Sequence, residues 1–134
     1  MDFKLTQEQL MIKEMARNFA TDELLPDVIK RDIEKIWPAK QISKMANLGL
    51  MGMMVENQWG GNGMDTISYS IAMEEIARVD ASASVVMSVN NSLVCSIFQK
   101  YANDIQKEKY LIPLAKGEKL GCFSLSEPQS GSDA

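Results

Sequence analysis

Between Asp80 and Phe98 the chain carries Ala83, Val85, Val86, Val89, Leu93, Cys95, Ile97 and Phe98, a spacing that leaves a helix apolar on most of its faces. Such a helix has to be enclosed on several sides at once, because each exposed apolar side chain forgoes roughly 1.5–3 kcal/mol of burial. The partners are then other helices, each lending one amphipathic face. With 134 residues and 46% hydrophobic content the chain has enough material for one such core, so a single domain is expected.

Helix signals flank this segment on both sides. Thr6, with Gln9 three residues on, reads as a capping box that opens a helix turning Leu10, Met11, Met15 and Phe19 toward the core. Pro26 is expected to end it. A second helix starts at Pro38, a residue suited to the first helical position, and runs through Ile42, Met45 and Ala46 to a stop at Gly49. Met51 to Val55 is a short apolar connector, and the loop from Glu56 to Gly63 holds three glycines that permit positive φ. Asp65 or Thr66 caps a third helix carrying Ile67, Ile71, Ile76 and Ala77, and Asp80 caps the long apolar one. Asn103, with Gln106 three residues on, opens a last helix through Tyr110, Ile112 and Leu114, stopped by Gly117. The fold class is all-α, a bundle of about five helices over residues 1–117.

Beyond Gly117 the pattern changes. Leu120 to Leu125 alternates weakly and reads as a strand, and Ser126 to Ala134 as a polar loop with Pro128 and Gly131. A strand-to-loop exit of this kind lays backbone N–H groups against an anionic or heteroaromatic ligand. A lone strand has no partner, however, so residues 118–134 are expected to open a β domain of a longer protein.

Composition removes several functions. A net charge of −4 argues against nucleic acid or an anionic membrane as partner. The run Leu48 to Val55 is too short to span a bilayer, and Met1 to Leu10 is unlike a leader. The absence of histidine removes Ser-His and Cys-His nucleophiles and the commonest metal ligand. Cys95 and Cys122, far apart in apolar settings, read as reduced buried thiols of a cytoplasmic protein, and no metal site is expected.

Other features have plain structural readings. Glu74 and Glu75 are adjacent, and neighbouring helix positions diverge by about 100°, so they form no acid/base pair. Arg78, four residues after Glu74 and three after Glu75, fits a helix-surface ion pair. The Gly60-Gly-Asn-Gly63 loop lacks a clear preceding strand and a Walker lysine, so a turn is the better reading than a phosphate cradle. Asn90-Asn91 on an apolar helix marks either a polar point in a ligand cavity or a satisfied interhelical hydrogen bond. The ten methionines fit either core filling or an adaptable pocket.

Four stretches, taken in order, carry a family resemblance: Leu5-Thr-Gln-Glu-Gln-Leu10, Trp59-Gly-Gly-Asn-Gly63, Met73-Glu-Glu-Ile-Ala-Arg-Val-Asp80 and Phe123-Ser-Leu-Ser-Glu-Pro-Gln-Ser-Gly-Ser-Asp133. Together they resemble the N-terminal helical domain of the flavin-dependent acyl-CoA dehydrogenases, most of all the short-chain (butyryl-CoA) branch. The last stretch is similar to the signature that leads onto the flavin. It departs in Phe123, where tyrosine is common, in Ser126, where threonine is common, and in Gln129-Ser130, where small residues are usual.

The resemblance implies FAD as cofactor, with Phe123 and Leu125 beside the isoalloxazine and Ser126 at its pyrimidine edge. Gly131 would allow close backbone approach, and Ser132 would meet the flavin pyrophosphate or the CoA arm. It also implies an acyl pocket near Met87, Asn91, Val94 and Cys95. The reaction implied is α,β-dehydrogenation of a short-chain acyl-CoA, with electrons passing to an electron-transferring flavoprotein and with the enzyme a homotetramer. The family's catalytic glutamate belongs to a C-terminal domain, and no glutamate here matches its position, so no catalytic residue is assigned and the fragment alone is expected to be inactive. A helical interaction or acyl-CoA-binding module without turnover, and an acyl-CoA oxidase-like flavoenzyme, are the alternatives.

Overall fold

The structure, a computed structural model, describes residues 4–133; Met1 to Phe3 and Ala134, the last residue of the polar loop read over Ser126 to Ala134, lie outside the described residues. Helix α1 (Gln7–Phe19) opens with the expected capping box, Gln9 N–H donating to Thr6 Oγ1 and Thr6 N–H to Gln9 Oε1. Its buried face is Ile12, Ala16 and Phe19. Leu10 and Met11, expected inside, are exposed, Met11 to 63%. The face is set by close approach to α4 (Thr66–Ala77), where Ala16, Ala20 and Ala72 have no exposed surface; small side chains decide which stripe of α1 comes nearest.

Pro26 does not end the helical course as expected. The chain passes through a π-helical turn (Ala20–Leu24) and a 3-10 turn (Leu25–Asp27) into α2 (Val28–Glu34), a helix the sequence pattern did not show. Proline's fixed φ suits the first turn of a helix, so here it marks a bend rather than a stop. Arg31 closes that bend from inside. It is buried and ion-pairs with Asp27 and with Asp80 at 2.7 Å, and it donates to the Leu24 carbonyl. Asp80 also caps α5 (Ala81–Tyr101), accepting from Ala83 N–H at 2.9 Å, so one ion pair fixes α2 to the start of the long helix.

Helix α3 (Ala39–Asn47) begins one residue after Pro38 and stops where Gly49 takes φ +74°. Asp65 caps α4 through Ser68 N–H. Helix α6 spans residues 104–115, begins with the Asn103/Gln106 capping box and stops at Gly117, φ +69°. α1 packs on α4, α4 on α5, and α5 on α6. One cluster, with Phe19, Met45, Met51, Ile76 and Met87, fills the space between α1, α3, α4 and α5; a second, with Val55, Val94, Cys95 and Leu111, lies between α5 and α6.

α5 is 21 residues long and apolar enough to cross a bilayer by length and composition alone. Met87, Asn90, Asn91 and Cys95 on its inner side are buried against the rest of the chain, as in a packing helix of a core, while Val85 on the opposite side is exposed.

The carboxylate that pairs with Arg78 is Glu75. It is buried and accepts from Arg17 at 2.8 and 3.1 Å and from Arg78 at 3.4 Å, with Lys13 at 3.8 Å. Hydrogen bonding from Arg17, against the opposing cost of burial, holds the Glu75 carboxyl below its usual range.

No strand forms among the described residues. Leu120 to Leu125, expected as a strand, is chain without a ladder, and the single β-bridge joins Glu127 and Ser130. A strand is defined by its partner, and none of the described residues supplies one.

Candidate functional site

The middle of α5 is π-helical over Val89–Cys95. In a regular α-helix consecutive side chains diverge by about 100°, yet here Asn90 and Asn91 are both buried among backbone groups. The wider turn gives both amides inward partners; such bulges recur at functional sites. Asn91 Oδ1 accepts from Met53 N–H at 2.8 Å, and its Nδ2 donates to the Leu50 and Met87 carbonyls at 2.8 and 2.9 Å. Asn90 Nδ2 donates to the Met51 and Leu114 carbonyls at 2.8 and 3.0 Å, and its Oδ1 accepts from Gly121 N–H at 3.0 Å. The connector from Leu50 to Met53 is buried without regular structure, so its polar backbone needs side-chain partners, and the two amides provide them.

The glycine loop is a structural turn. Gly60 takes φ +82°, and a Cβ on Gly61 would stand 2.2 Å from the Val55 carbonyl, so no side chain fits there. Asn62 N–H donates to the Gly52 carbonyl, and Lys107 lies 5.3 Å over the Trp59 ring.

The segment after Gly121 is the part of the described chain that faces away from the core with its backbone unused. The amides of Cys122 to Ser126 have no partner among the described residues. Phe123 and Leu125 are 50% and 47% exposed. The following turn is closed by the Glu127–Ser130 pair of backbone bonds, and Ser126 and Ser132 are exposed. A Cβ on Gly131 would meet nothing within 4 Å, so its surroundings are open on this chain. Beside the segment lies an apolar cleft of about 280 Å³ between Trp37, the outer face of α5 at Val85, Val86 and Val89, and Leu120 to Cys122.

Phe123, Leu125, Ser126, Gly131 and Ser132 are thus brought together on one open strip. Met87, Asn91, Val94 and Cys95 are not on it but buried on the inner side of α5, Val94 against Gly121 where the strip leaves the core, and both Nδ2 hydrogens of Asn91 are already committed. Burial pushes the Cys95 thiol up to about 12. Cys122 is a free thiol as expected, but exposed rather than buried, because its segment leaves the core at Gly121. Val85, Val86 and Val89 were read from the sequence as part of the apolar helix and not as site residues, and Trp37 was not singled out. Their signal was the apolar character on most faces of this helix, and in the structure Val85 is 57% exposed, on a face left uncovered among the described residues.

An open apolar cleft along a central helix, edged by a strip of unpaired backbone and hydroxyls, has the apolar surface and free donors that a flat heteroaromatic ligand needs on one side. Apolar surface from Phe123 and Leu125 with free N–H groups and the Ser126 hydroxyl as donors matches a ring with an apolar face and a polar edge, so the residues fit a flavin. The chain matches the pattern described as "Acyl-CoA dehydrogenase, N-terminal domain" over residues 6–118. It belongs to the acyl-CoA dehydrogenase family. It is 40% identical over 134 residues to the short-chain specific acyl-CoA dehydrogenase of Clostridium acetobutylicum, covering 100% of this chain and 35% of that protein. Among solved structures it is similar to butyryl-CoA dehydrogenase from Megasphaera elsdenii, with a TM-score of 0.92, 38% identity, and coverage of 99% of this chain and 36% of that one. A chain from a structure of the electron transferring flavoprotein of Acidaminococcus fermentans, described as bearing on flavin-based electron bifurcation, gives a TM-score of 0.95 and 42% identity, again covering 99% of this chain and 35% of that one. The chain therefore spans about a third of the length of the relatives it matches.

Proposed function

We propose that this chain is the helical wall of a flavoenzyme that dehydrogenates short-chain acyl-CoA thioesters between Cα and Cβ. The single observation that carries the reading is the strip from Cys122 to Ser126, exposed and with its amides unpaired among the described residues, which leaves the cleft on α5 at Cys122. FAD, when bound, supplies the hydride-accepting ring. Phe123 and Leu125 present apolar surface to one face of that ring, and the free amides and Ser126 donate to its polar edge. Gly131 admits close backbone approach, and Ser132 takes a phosphate or the amide arm of CoA. The acyl group lies against Val85, Val86 and Val89, while Met87, Asn91, Val94 and Cys95 hold that wall in place from within and limit how far it yields. The wall excludes water from the thioester and orients its Cα and Cβ; proton removal falls to the glutamate that the family resemblance assigns to a C-terminal domain, and the buried, fully paired Glu75 takes no part in it.

The acceptor of the reducing equivalents is an electron-transferring flavoprotein, in keeping with the likeness to the Acidaminococcus structure. The enzyme is cytoplasmic and homotetrameric in this reading. The test is the flavin absorbance and acyl-CoA turnover of the parent-length protein. A yellow protein that converts butyryl-CoA faster than octanoyl-CoA supports the reading. A colourless parent, or one preferring octanoyl-CoA, refutes it.

A further inference from the structure

Asn90 joins four pieces of the chain through one side chain: α5 that carries it, the connector at Met51, the end of α6 at Leu114, and the exposed strip at Gly121. It has no exposed surface. Gly121 is held a second way, because a Cβ there would stand 2.6 to 2.8 Å from the Val94 side chain; only glycine brings this backbone against α5. From Cys122 to Ser126 no other backbone hydrogen bond to the described residues ties the strip down. The direction in which Phe123 and Ser126 leave the core is therefore set at Gly121, two and five residues earlier. The π-helical register is what aims Asn90 there, since its neighbour Asn91 serves a different set of carbonyls.

We propose that Asn90 is a positioning residue for the flavin strip: its Oδ1 holds Gly121 N–H and so couples α5, the wall of the acyl cleft, to the groups that face the ring. This rests on the flavin reading above, and it assigns Asn90 a role distinct from Asn91, which ties the connector to α5 and touches no part of the strip.

The test has two arms. In the 134-residue chain, Asn90→Ala should raise the hydrogen-exchange rate of the Gly121 amide by about tenfold or more, the worth of one buried hydrogen bond. The Met53 amide, held by Asn91, should keep its protection. Maleimide labelling of Cys122 should quicken in step, with Cys95 silent because its thiol is buried and pushed up to about 12. Asn90→Ser, which keeps a hydroxyl in the same space, provides a milder variant should alanine not fold, and should show the same change at smaller amplitude. In the parent-length flavoprotein, the same variants should shift the flavin absorbance band and its reduction potential. A residue that merely stabilised the fold would lower the melting temperature and leave Gly121, the band and the potential in place. Unchanged Gly121 protection in a folded variant overturns the proposal, as does a released Gly121 with an unmoved flavin spectrum and potential. If the parent-length wild type carries no flavin, the flavin reading falls, and the coupling of α5 to the ring falls with it. Gly121 exchange then still decides, separately, whether Asn90 anchors the strip.

Discussion

Replacing Asn91 tests how the irregular connector is held, and two variants should rank opposite to their hydrophobicity. Asn91→Leu is near-isosteric and apolar, and it leaves Met53 N–H and the Leu50 carbonyl sealed without partners. Each buried orphan costs about 1–3 kcal/mol, so the variant should lose roughly 2–6 kcal/mol. The Met87 carbonyl adds little, because it lies on α5 itself, one turn before Asn91. Asn91→Ala vacates a space edged by three polar backbone groups, which suits a water molecule, so its loss should fall at the low end, about 2 kcal/mol. Typical domains are stable by only about 5–15 kcal/mol, so the leucine variant comes close to unfolding. Urea titration followed by circular dichroism reads this directly: with a slope of about 1–3 kcal/mol per molar, the midpoint should fall by roughly 1–2 M for alanine and further for leucine. A leucine variant as stable as wild type, or more stable than the alanine variant, would show that those backbone groups find other partners and that the two-amide account is wrong.

Glu75→Gln should destabilise the fold in a pH-dependent way. The folded-state pKa of Glu75 lies below the ordinary glutamate value of 4.5, so its contribution is fully present above that value and is lost as pH falls through the lower folded value. The gap in melting temperature between wild type and variant should shrink below about pH 4.5, and a gap constant down to about pH 3 would contradict the pairing. The purified 134-residue chain should hold little or no flavin, because one wall of a site provides neither burial nor preorganisation; stoichiometric yellow protein would refute the one-wall description. In the parent-length protein Ser126→Ala should weaken flavin retention, while Glu74→Ala, on the outer side of α4, should leave absorbance unchanged. Met87→Ala or Val94→Ala should extend the accepted acyl chain by loosening the wall behind the cleft, each added methylene contributing only about 0.8 kcal/mol; an unaltered chain-length profile would detach these residues from specificity.

Local chemistry was written plainly in this chain. Thr6 with Gln9, Asp65, Asp80, and Asn103 with Gln106 cap the helices they were expected to cap, because a cap needs only a side chain and an amide two or three residues away. Gly49 and Gly117 stop helices for an equally local reason, a positive φ. The apolar run after Asp80 foretold a central helix, and the ordered motifs pointed to the family. What the sequence did not contain was distance. Which stripe of α1 faces inward depended on how closely Ala16 and Ala20 let α4 approach, and α2 depended on Arg31 meeting Asp80, 49 residues away. The strand expected at Leu120 to Leu125 lacked a partner, and a strand without one has no ladder to report. The amide pair was visible in the sequence, but its division of labour was not. Only the π-helical register of α5, a product of packing rather than of residue type, decided that Asn91 serves the buried connector and Asn90 the open strip.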